Sequence, residues 1–484
     1  MKILILQLAR LGDILQTWPA VRALRRQYPD AEIVYACRKK FAGAVVGLDA
    51  IDRSVIFDTE EYFEPLLRFQ PSFDESIGKL RHFCGALRAE NFDLVVNFTF
   101  SPFSSYLTQL VCSQNSRVIG YSRTADGYLH IAGDTSAYFY AQVGVERHNR
   151  IHLADLFAMM MDLDIAPGDW GKPSSLPSTR VPGDYIVLHV GASDDKKMYS
   201  VWKWQSVVQK ILRSWGGSIV LIGSGEKETA VAERIQAITD DVRIINFVGK
   251  TSITDSMALI ANSLLFVGCD SGPLQMANLV GKVSINVSFK TVRYWETGPK
   301  VPGSFVLYAD AEDELPSDRV SSQILSILNK TASIPEAISV TQDMICYQGT
   351  ETEEQEFGWQ VLEAIYLGKE WPKQTSASFK HAIRRLSEMN TVMLEQLQKI
   401  ETSSQAQALM EILNRGDEVI STIGKLEPEV DSLIRWYQTE KSRIAPGDFG
   451  AVLGETVRIH GLFQCALDLV QGNRAAEGRA EVGG

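Results

Sequence analysis

The turn GASDDKK carries residue types that could hold an anion. It follows the apolar segment YIVLHV and contains three small residues, Gly191, Ala192 and Ser193. Two lysines, Lys196 and Lys197, come next. Small residues let the backbone approach a phosphate, and a lysine supplies the charge that holds it. A polar surface loop has a similar composition, so this turn indicates a phosphate site without establishing one.

A second turn, GSGE, follows the apolar segment SIVLI and precedes a predicted helix. Its two glycines are followed by the carboxylates of Glu226 and Glu228. A carboxylate in this position can accept hydrogen bonds from the hydroxyls of a ribose. The same residues could simply complement the positive end of the helix. The spacing is not GxGxxG, so the turn by itself is a weak nucleotide signal.

A third stretch, FVGCDSGPLQMA, ends a predicted strand at Asp270 and begins a predicted helix near Pro273. The N–H groups of Ser271 and Gly272 would have no partner at the helix start, which makes this point an anion site in principle. The alternative is that Asp270 or Ser271 only caps the helix.

The amino-terminal stretch QLARLGDILQTWPA places Asp13 directly after the first apolar segment. Asp13 could face the anion-binding turns and act as a base, or it could cap a helix beginning at Ile14. Residues 14–28 have helical spacing, but Pro19 must kink that helix or mark a start after Thr17. This stretch alone does not decide between a catalytic residue and a cap.

The segments around these turns alternate between strands and helices. Predicted strands at 2–8, 32–37, 54–57, 94–98 and 117–120 precede the Pro- and Gly-rich stretch 167–183. A second series follows, with strands at 185–190, 218–223, 242–248, 264–268 and 283–287. We therefore predict an α/β fold of two doubly wound Rossmann-like domains, 1–166 and 184–330, joined by a linker at 167–183. Ligands bind at the carboxyl ends of such strands.

The strand pattern fades after residue 330. Amphipathic segments between 331 and 484 predict a C-terminal helical extension, whose first part we expect to cross back to the amino-terminal domain. Its apolar stripes would form a core or a surface for homo-oligomers.

Composition excludes several functions. A net charge of −11 argues against nucleic-acid binding. Six cysteines without a CxxC pair indicate reduced thiols in a cytoplasmic protein. Seven dispersed histidines and the absence of HExxH argue against a metal site. No signal peptide or membrane-spanning run is expected.

A basic cluster is an exception to the acidic balance. Its members are Arg22, Arg25, Arg26, Arg38, Lys39 and Lys40. It predicts either a solvated helix face or a patch for a phosphorylated or membrane-borne acceptor.

Together, these stretches resemble glycosyltransferase family 9, the heptosyltransferase family, which has the GT-B fold. The family's opening R-x-G-D and proline correspond to Arg10, Gly12, Asp13 and Pro19. Its G-A-S turn, lysine and aromatics correspond to Gly191, Ala192, Ser193, Lys197, Tyr199 and Trp204. Its D-S-G-P corresponds to Asp270, Ser271, Gly272 and Pro273. The resemblance covers about residues 1–330 and is specific only in combination.

The resemblance implies an inverting, metal-independent transfer of a sugar, typically heptose from ADP-heptose, with the donor as co-substrate and no other cofactor. Asp13 would be the base, while Lys197 and Ser193 would stabilise the leaving diphosphate. Donor contacts are expected at Lys196, Glu226, Thr251, Ser252 and the D-S-G-P stretch, and acceptor contacts at Arg10 and Gly12. Gln275 replaces the family's histidine and Tyr199 its tryptophan, which leaves the donor sugar open.

The acceptor that the resemblance implies is a lipopolysaccharide core, another cell-surface glycan or a protein. It would be modified in the cytoplasm or at the cytoplasmic face of the inner membrane, with peripheral membrane contact. Two other hypotheses remain: a non-catalytic nucleotide-sugar-binding protein on a GT-B scaffold, which Gln275 favours, and an epimerase acting on a UDP-sugar.

Overall fold

The computed structural model describes residues 1–144, 147–178, 181–192, 194–335, 337–340, 353–373 and 376–472. These residues form two compact units. The first contains the described residues of 1–99, 113–116 and 151–347. The second contains those of 100–112, 117–150 and 348–484.

The strands of the described residues are β1 (Lys2–Leu6), β2 (Glu32–Arg38), β3 (Arg53–Phe57), β4 (Leu94–Asn97), β5 (Arg117–Arg123), β6 (Leu129–Ala132), β7 (Tyr185–His189), β8 (Ser218–Ile222), β9 (Ile244–Asn246), β10 (Phe266–Cys269), β11 (Ser284–Phe289), β12 (Phe305–Ala309) and β13 (Ile338–Ser339).

The α-helices are α1 (Leu11–Gln27), α2 (Thr59–Leu67), α3 (Phe73–Ala89), α4 (Pro102–Val111), α5 (Asp134–Gln142), α6 (Leu153–Met159), α7 (Val201–Ser214), α8 (Glu226–Thr239), α9 (Ile253–Asn262), α10 (Gly272–Leu279), α11 (Tyr294–Thr297), α12 (Ser317–Leu328), α13 (Glu353–Leu367), α14 (Ala377–Leu397), α15 (Ser403–Leu426), α16 (Asp431–Lys441) and α17 (Phe449–Val470). Short 3₁₀ helices are η1 (Lys39–Val45), η2 (Pro167–Asp169), η3 (Asp195–Lys197), η4 (Glu312–Glu314) and η5 (Pro428–Val430).

The first unit contains two sheets with the same internal order. The strands β3-β2-β1-β4 are parallel, with Leu4 facing Val34 on one side and Val95 on the other. The second sheet has the order β13-β12-β11-β10-β7-β8-β9, and only β13 is antiparallel to its neighbour. The order reverses beside β1 and β7, which are the positions where doubly wound sheets bind ligands. The predicted pair of Rossmann-like sheets is confirmed.

The second sheet is buried on both faces, which explains why its strands read as continuous apolar runs. Its core includes Ile186, Leu188, Ile219, Val267 and Ile285 from the strands. Two aromatics that the family resemblance highlighted belong to this core, since Tyr199 is 1% and Trp204 0% exposed. Tyr199 donates its hydroxyl to the carbonyl of Leu315 at 3.0 Å and packs edge-on against Trp204. These two side chains therefore stabilise the domain and do not reach a ligand.

The first helix starts earlier than the sequence suggested. It begins at Leu11, with Arg10 preceding it in extended conformation, and it contains Pro19 in its interior. The prediction of a start at residue 14 or after Thr17 was therefore wrong. The Asp13 carboxylate accepts a hydrogen bond from the backbone N–H of Arg10 at 2.9 Å. This bond closes the first turn of α1, which includes residues that the sequence predicted to precede the helix.

The predicted linker packs along α1. Arg22 donates to the backbone oxygens of Asp169 and Gly171, and Arg26 forms an ion pair with the buried carboxylate of Asp169 at 2.8 Å. Arg22 and Arg25 also pair with Asp49 and Asp52, respectively. Carboxylates therefore compensate these three arginines, so they do not form a patch for an anionic acceptor.

The second unit combines the β5–β6 hairpin and helices α4 and α5 with the helical extension. Its core contains Phe379, Ile383, Leu386, Tyr437 and Phe463. The predicted amphipathic helices of the extension are present as α13 and α14. No helix of the described residues is both long and apolar enough to cross a bilayer.

Helices of the extension pack on α5 and the residues after it. Gln142 donates to the carbonyl of Ser432 at 3.0 Å, and Tyr138 packs edge-on against Tyr366 at 4.9 Å. The two units are defined by contacts between residues in space, whereas the predicted domain boundaries at 166, 183 and 330 divide the chain along its sequence. Those boundaries stay a prediction.

Candidate active site

A cavity of about 750 Å³ lies in the first unit, at the carboxyl ends of strands from both sheets. Its wall includes the turns after β1, β7, β8 and β10 and the residues that start α9. Of the site residues predicted from the sequence, it brings together Arg10, Gly12, Asp13, Ala192, Lys197, Thr251, Ser252, Asp270, Ser271, Gly272, Pro273 and Gln275. Stretches more than 250 residues apart along the chain thus contribute to one cavity.

Other predicted donor residues do not line this cavity. Gly191 is buried behind its wall, while Lys196 and Glu226 are exposed. Ser193 lies outside the described residues. The helix α8 begins at Glu226, and it is Glu228, two positions later, that turns back to the cavity wall.

Asp13 lies both in the first turn of α1 and in the wall of the cavity. Its carboxylate bonds to the N–H of Arg10 at the start of α1, and the residue also lines the cavity. It is the third helical residue rather than the cap that precedes the helix. Burial raises the pKa of the Asp13 carboxyl, and the negative charge of Asp270 raises it further. The N–H and guanidinium of Arg10 and the ammonium of Lys197 lower the pKa by less, so it stays above its usual value. A carboxylate with a raised pKa accepts a proton more readily.

Lys197 and Asp270 form an ion pair in the cavity wall. The Lys197 Nζ lies 2.9 Å from Asp270 Oδ2, and Thr297 donates its hydroxyl to Asp270 Oδ1 at 2.5 Å. Asp270 is buried and Lys197 half-buried. Both carboxylate oxygens of Asp270 are thus occupied, and the lysine ammonium is fixed in the cavity wall.

The start of α10 carries no side-chain cap. Ser271 precedes the helix, but its side chain accepts no hydrogen bond from the first turn. Its hydroxyl instead donates to the carbonyl of Cys269 at 3.0 Å and lies 3.1 Å from Nδ1 of His189. The interpretation of Asp270 or Ser271 as a simple helix cap is therefore wrong. The N–H groups of the first turn of α10 lie at the cavity, where they could bind an anion.

Gly272 lets the starts of two helices approach each other. A Cβ atom at this position would lie 2.7 Å from Cδ2 of Leu11, the first residue of α1. A side chain here would therefore have to displace the side chain of Leu11. This close approach is what places Asp13 in the same cavity as the uncapped helix start.

Gln275, which replaces the family's histidine, has both polar atoms of its amide in hydrogen bonds within the protein. Its Nε2 donates to the carbonyl of Thr297 at 2.5 Å, and its Oε1 accepts from Nδ2 of Asn278 at 3.0 Å. The side chain is buried, although it contributes to the cavity wall. Gln275 therefore connects α10 to the end of α11.

Sequence reasoning missed His189 and assigned Glu228 only a general role. His189 is the last residue of β7, and its Nε2 lies 3.4 Å from Oε2 of Glu228. Glu228 also accepts from the N–H of Ser224 at 2.7 Å. Burial raises the pKa of Glu228, but the bonds to His189 and Ser224 outweigh this effect and leave the pKa below its usual value. A histidine two residues before the glycine of the first turn was the available signal.

One glycine from each of the turns predicted to bind a phosphate and a ribose makes room for Glu228. A Cβ at Gly191 would lie 2.0 Å from Oε1 of Glu228, and a Cβ at Gly223 would lie 2.2 Å from its Oε2. Gly191 and Gly223 thus accommodate the half-buried carboxylate of Glu228. Close approach of the backbone to a phosphate is not needed to explain them.

We expect Gly191→Ala to lower the free energy of unfolding by about 1–3 kcal/mol, because the added methyl group forces Glu228 away from His189. Urea unfolding of the purified protein measures this change. Gly216→Ala is the matched control, since no heavy atom lies within 4 Å of a Cβ at that position. Equal stability of both variants would contradict the described packing of Glu228.

Among the described residues, no group of three or more His, Cys, Asp or Glu side chains is arranged to hold a metal ion. Five cysteines, Cys37, Cys84, Cys112, Cys269 and Cys465, are free thiols, and Cys346 lies outside the described residues.

Comparison with known proteins identifies similar sequences. Residues 80–299 match the family model of glycosyltransferase family 9 (heptosyltransferase). Lipopolysaccharide heptosyltransferase 3 of Escherichia coli is 24% identical over 293 residues, which cover 57% of this chain and 80% of the relative. Lipopolysaccharide heptosyltransferase 1 of Campylobacter coli is 21% identical over 316 residues, covering 61% of this chain and 85% of the relative.

Solved structures share the fold. A family 9 glycosyl transferase from Veillonella parvula matches with a TM-score of 0.53 and 16% identity, covering 68% of this chain and 97% of its own. Heptosyltransferase WaaC of E. coli, solved with ADP, matches with a TM-score of 0.51 and 18% identity, covering 68% of this chain and 100% of its own. This similarity extends to the whole length of WaaC and confirms the predicted GT-B fold, with a helical extension beyond it.

Proposed function

We propose that this heptosyltransferase-like enzyme, whose residues 80–299 match the model of glycosyltransferase family 9, transfers a sugar with inversion from a nucleotide-sugar donor to an acceptor hydroxyl. One observation carries this proposal: Asp13, Lys197 and the uncapped start of α10 line the same cavity. A base, a cation and anion-binding N–H groups are what such a transfer needs.

The donor would lie against the second sheet. Its diphosphate would be held by the N–H groups of Ser271 and Gly272 and by the ammonium of Lys197. Its nucleoside would lie toward Thr251 and Ser252, which precede α9 and line the cavity. We propose ADP-heptose as the donor, because several similar proteins are named lipopolysaccharide heptosyltransferases and WaaC was solved with ADP.

In the transfer step, Asp13 would take the proton from the acceptor hydroxyl as its oxygen attacks the anomeric carbon of the donor. The bond between that carbon and the diphosphate oxygen breaks, and its electron pair leaves with the nucleoside diphosphate. Attack opposite to the leaving group inverts the configuration at the anomeric carbon. The proton ends on Oδ1 or Oδ2 of Asp13.

Charge develops on the leaving diphosphate as this bond breaks. Lys197 is positioned by its ion pair with Asp270, and the N–H groups of α10 are fixed by the helix, so neither needs to reorganise during the reaction. These groups would supply the stabilisation that a divalent cation provides elsewhere. We therefore propose a reaction that uses no metal and no cofactor besides the co-substrate donor.

The acceptor would enter from the first sheet, where Arg10 and Gly12 line the cavity together with Arg38 and Lys40. These cationic side chains favour an acidic glycan, and we propose a lipopolysaccharide core or another cell-surface glycan, with a protein as the alternative acceptor. The reaction would take place in the cytoplasm or at the cytoplasmic face of the inner membrane. A peripheral membrane contact and a homo-oligomer through the extension belong to the same proposal.

The donor is tested by incubating the full chain with ADP-heptose, UDP-sugars and GDP-sugars. Binding is followed by calorimetry and nucleotide release by chromatography, with an acceptor extract present and absent. We expect ADP-heptose to bind and to release ADP only when acceptor is present. Turnover of a UDP- or GDP-sugar in place of ADP-heptose would show that the donor is wrong, and binding without release under any condition would contradict the transfer.

A further inference from the structure

We propose that Gln16 binds the transferred sugar of the donor, through a hydrogen bond that its amide oxygen accepts from a sugar hydroxyl. Gln16 would select donors that carry this hydroxyl and would orient the sugar ring between Asp13 and the diphosphate. This inference rests on the proposed function, because it presumes a nucleotide sugar in the cavity.

Gln16 lies on the same face of α1 as Asp13. The two residues are three positions apart in this helix, and side chains at that spacing lie one above the other. Both residues line the cavity. The proposed transfer places the anomeric carbon of the donor between Asp13 and the diphosphate. We therefore expect the ring attached to this carbon to lie against the face of α1 that carries Gln16.

The amide of Gln16 has a defined orientation. Its Nε2 donates to the backbone carbonyl of Glu296 at 3.4 Å. A carbonyl oxygen can only accept a hydrogen bond, so the nitrogen of the amide must face Glu296 and the oxygen must point elsewhere. Gln16 is only 3% exposed, and the packing around it maintains this orientation.

The amide oxygen of Gln16 is available to a ligand. Within the described part of the chain, no donor is bonded to this oxygen. It is also not among the described side-chain atoms that are fully buried without a partner, so its small accessible surface opens to the cavity. An amide oxygen that a ligand covers without supplying a donor costs free energy. A sugar hydroxyl can donate to it, whereas an ionised phosphate oxygen only accepts.

The contacts of Gln16 favour the donor sugar over the acceptor. Its partner Glu296 belongs to α11, and the next residue of that helix, Thr297, donates its hydroxyl to Asp270. Asp270 in turn pairs with Lys197. The segment that orients the Gln16 amide therefore also orients the ion pair proposed to act on the diphosphate. The transferred sugar is attached to that diphosphate, so it is the part of the substrates that meets both.

The test compares the affinities of the full chain for ADP-heptose and for ADP, measured by calorimetry without acceptor. ADP lacks the sugar, so the ratio of the two affinities isolates what the sugar contributes. Gln16→Met keeps the length of the side chain but removes the amide. We expect this variant to bind ADP-heptose about 3–10-fold more weakly, because one hydrogen bond is lost, and to bind ADP as the wild type does. A merely structural role for Gln16 predicts that both affinities fall by the same factor.

Gln275→Met is the matched control. Gln275 also lines the cavity, but its amide oxygen already accepts from Asn278, so it offers no acceptor to a sugar. Any effect of this substitution should change the affinities for ADP and ADP-heptose by a similar factor. An equally selective loss of ADP-heptose binding in Gln275→Met would overturn a specific role of Gln16.

A second variant covers the case in which Gln16→Met fails to fold. Gln16→Asn keeps the amide but withdraws its oxygen from the cavity by one methylene, and we expect the same selective loss of ADP-heptose binding. The melting temperature of each variant reports on folding.

The outcomes distinguish this inference from the proposed function. If the wild-type protein binds neither ADP nor ADP-heptose, the proposed donor fails, and the same comparison is made with a UDP- or GDP-sugar and its free nucleotide. If the nucleotide sugar binds and the folded Gln16 variants leave the ratio of the two affinities unchanged, the donor site stands and the role of Gln16 is overturned.

Discussion

The Asp13→Asn variant is expected to lose about 10²–10⁴-fold in kcat while its affinity for the donor stays within a factor of two or so. The amide oxygen of asparagine can still accept the hydrogen bond from the N–H of Arg10, so the first turn of α1 should remain closed. What asparagine cannot do is take the proton of the acceptor hydroxyl. Single-turnover transfer and donor binding, measured on the same preparation, give the two quantities.

Asp13→Glu is the matched variant for this experiment, since it keeps the carboxylate but displaces it by one methylene. We expect it to retain more activity than Asp13→Asn and to lose some stability at the start of α1. The melting temperature of each variant reports on folding. If Asp13→Asn unfolds, or if it transfers sugar at the wild-type rate, Asp13 serves the helix and not the reaction.

The pH dependence of kcat provides a second measurement on Asp13. Because burial raises the pKa of its carboxyl, the fraction of active, ionised enzyme should rise with pH through a midpoint above the usual range of aspartate. Below that midpoint the carboxyl is protonated and cannot accept the acceptor's proton. In Asp13→Asn this acidic limb of the profile should be absent.

Lys197→Ala is expected to reduce kcat by about 10²–10³-fold, because it removes a fixed cation from the position where the leaving diphosphate gains charge. The variant also leaves Asp270 with Thr297 as its hydrogen-bonding partner. An unopposed carboxylate next to the diphosphate then adds repulsion to the lost attraction. Steady-state kinetics with saturating donor measure the effect on kcat, and ADP binding measures the effect on affinity.

Lys196→Ala is the control for this prediction. Lys196 is adjacent in sequence and has the same charge, but it is exposed and lies outside the cavity wall. We expect its kcat to stay close to that of the wild type. Equal losses in both variants would mean that the net charge of the turn matters, and not the ion pair between Lys197 and Asp270.

The order of strands and turns was readable from the sequence. The strands predicted at 32–37 and 185–190 agree with β2 and β7 to within one residue, because each is an apolar run that ends at a clear turn signal. The start of α1 was not readable, since a proline usually marks the first turn, whereas Pro19 lies inside this helix. The hydrogen bond from Arg10 to Asp13 and the burial of the helix outweigh that preference.

The sequence by itself determined the two Rossmann-like sheets, the residues that follow their strands and the family to which those residues point, because apolar periodicity and turn composition are local properties. Only the tertiary structure decided which of those residues share a cavity. It placed Glu228 rather than Glu226 in the wall, buried Tyr199 and Trp204, paired the basic residues of α1 with carboxylates, and brought His189 between Ser271 and Glu228. The physical reason is that the direction of a side chain and its partner across the sheet depend on packing between segments far apart in the chain, which no local pattern records.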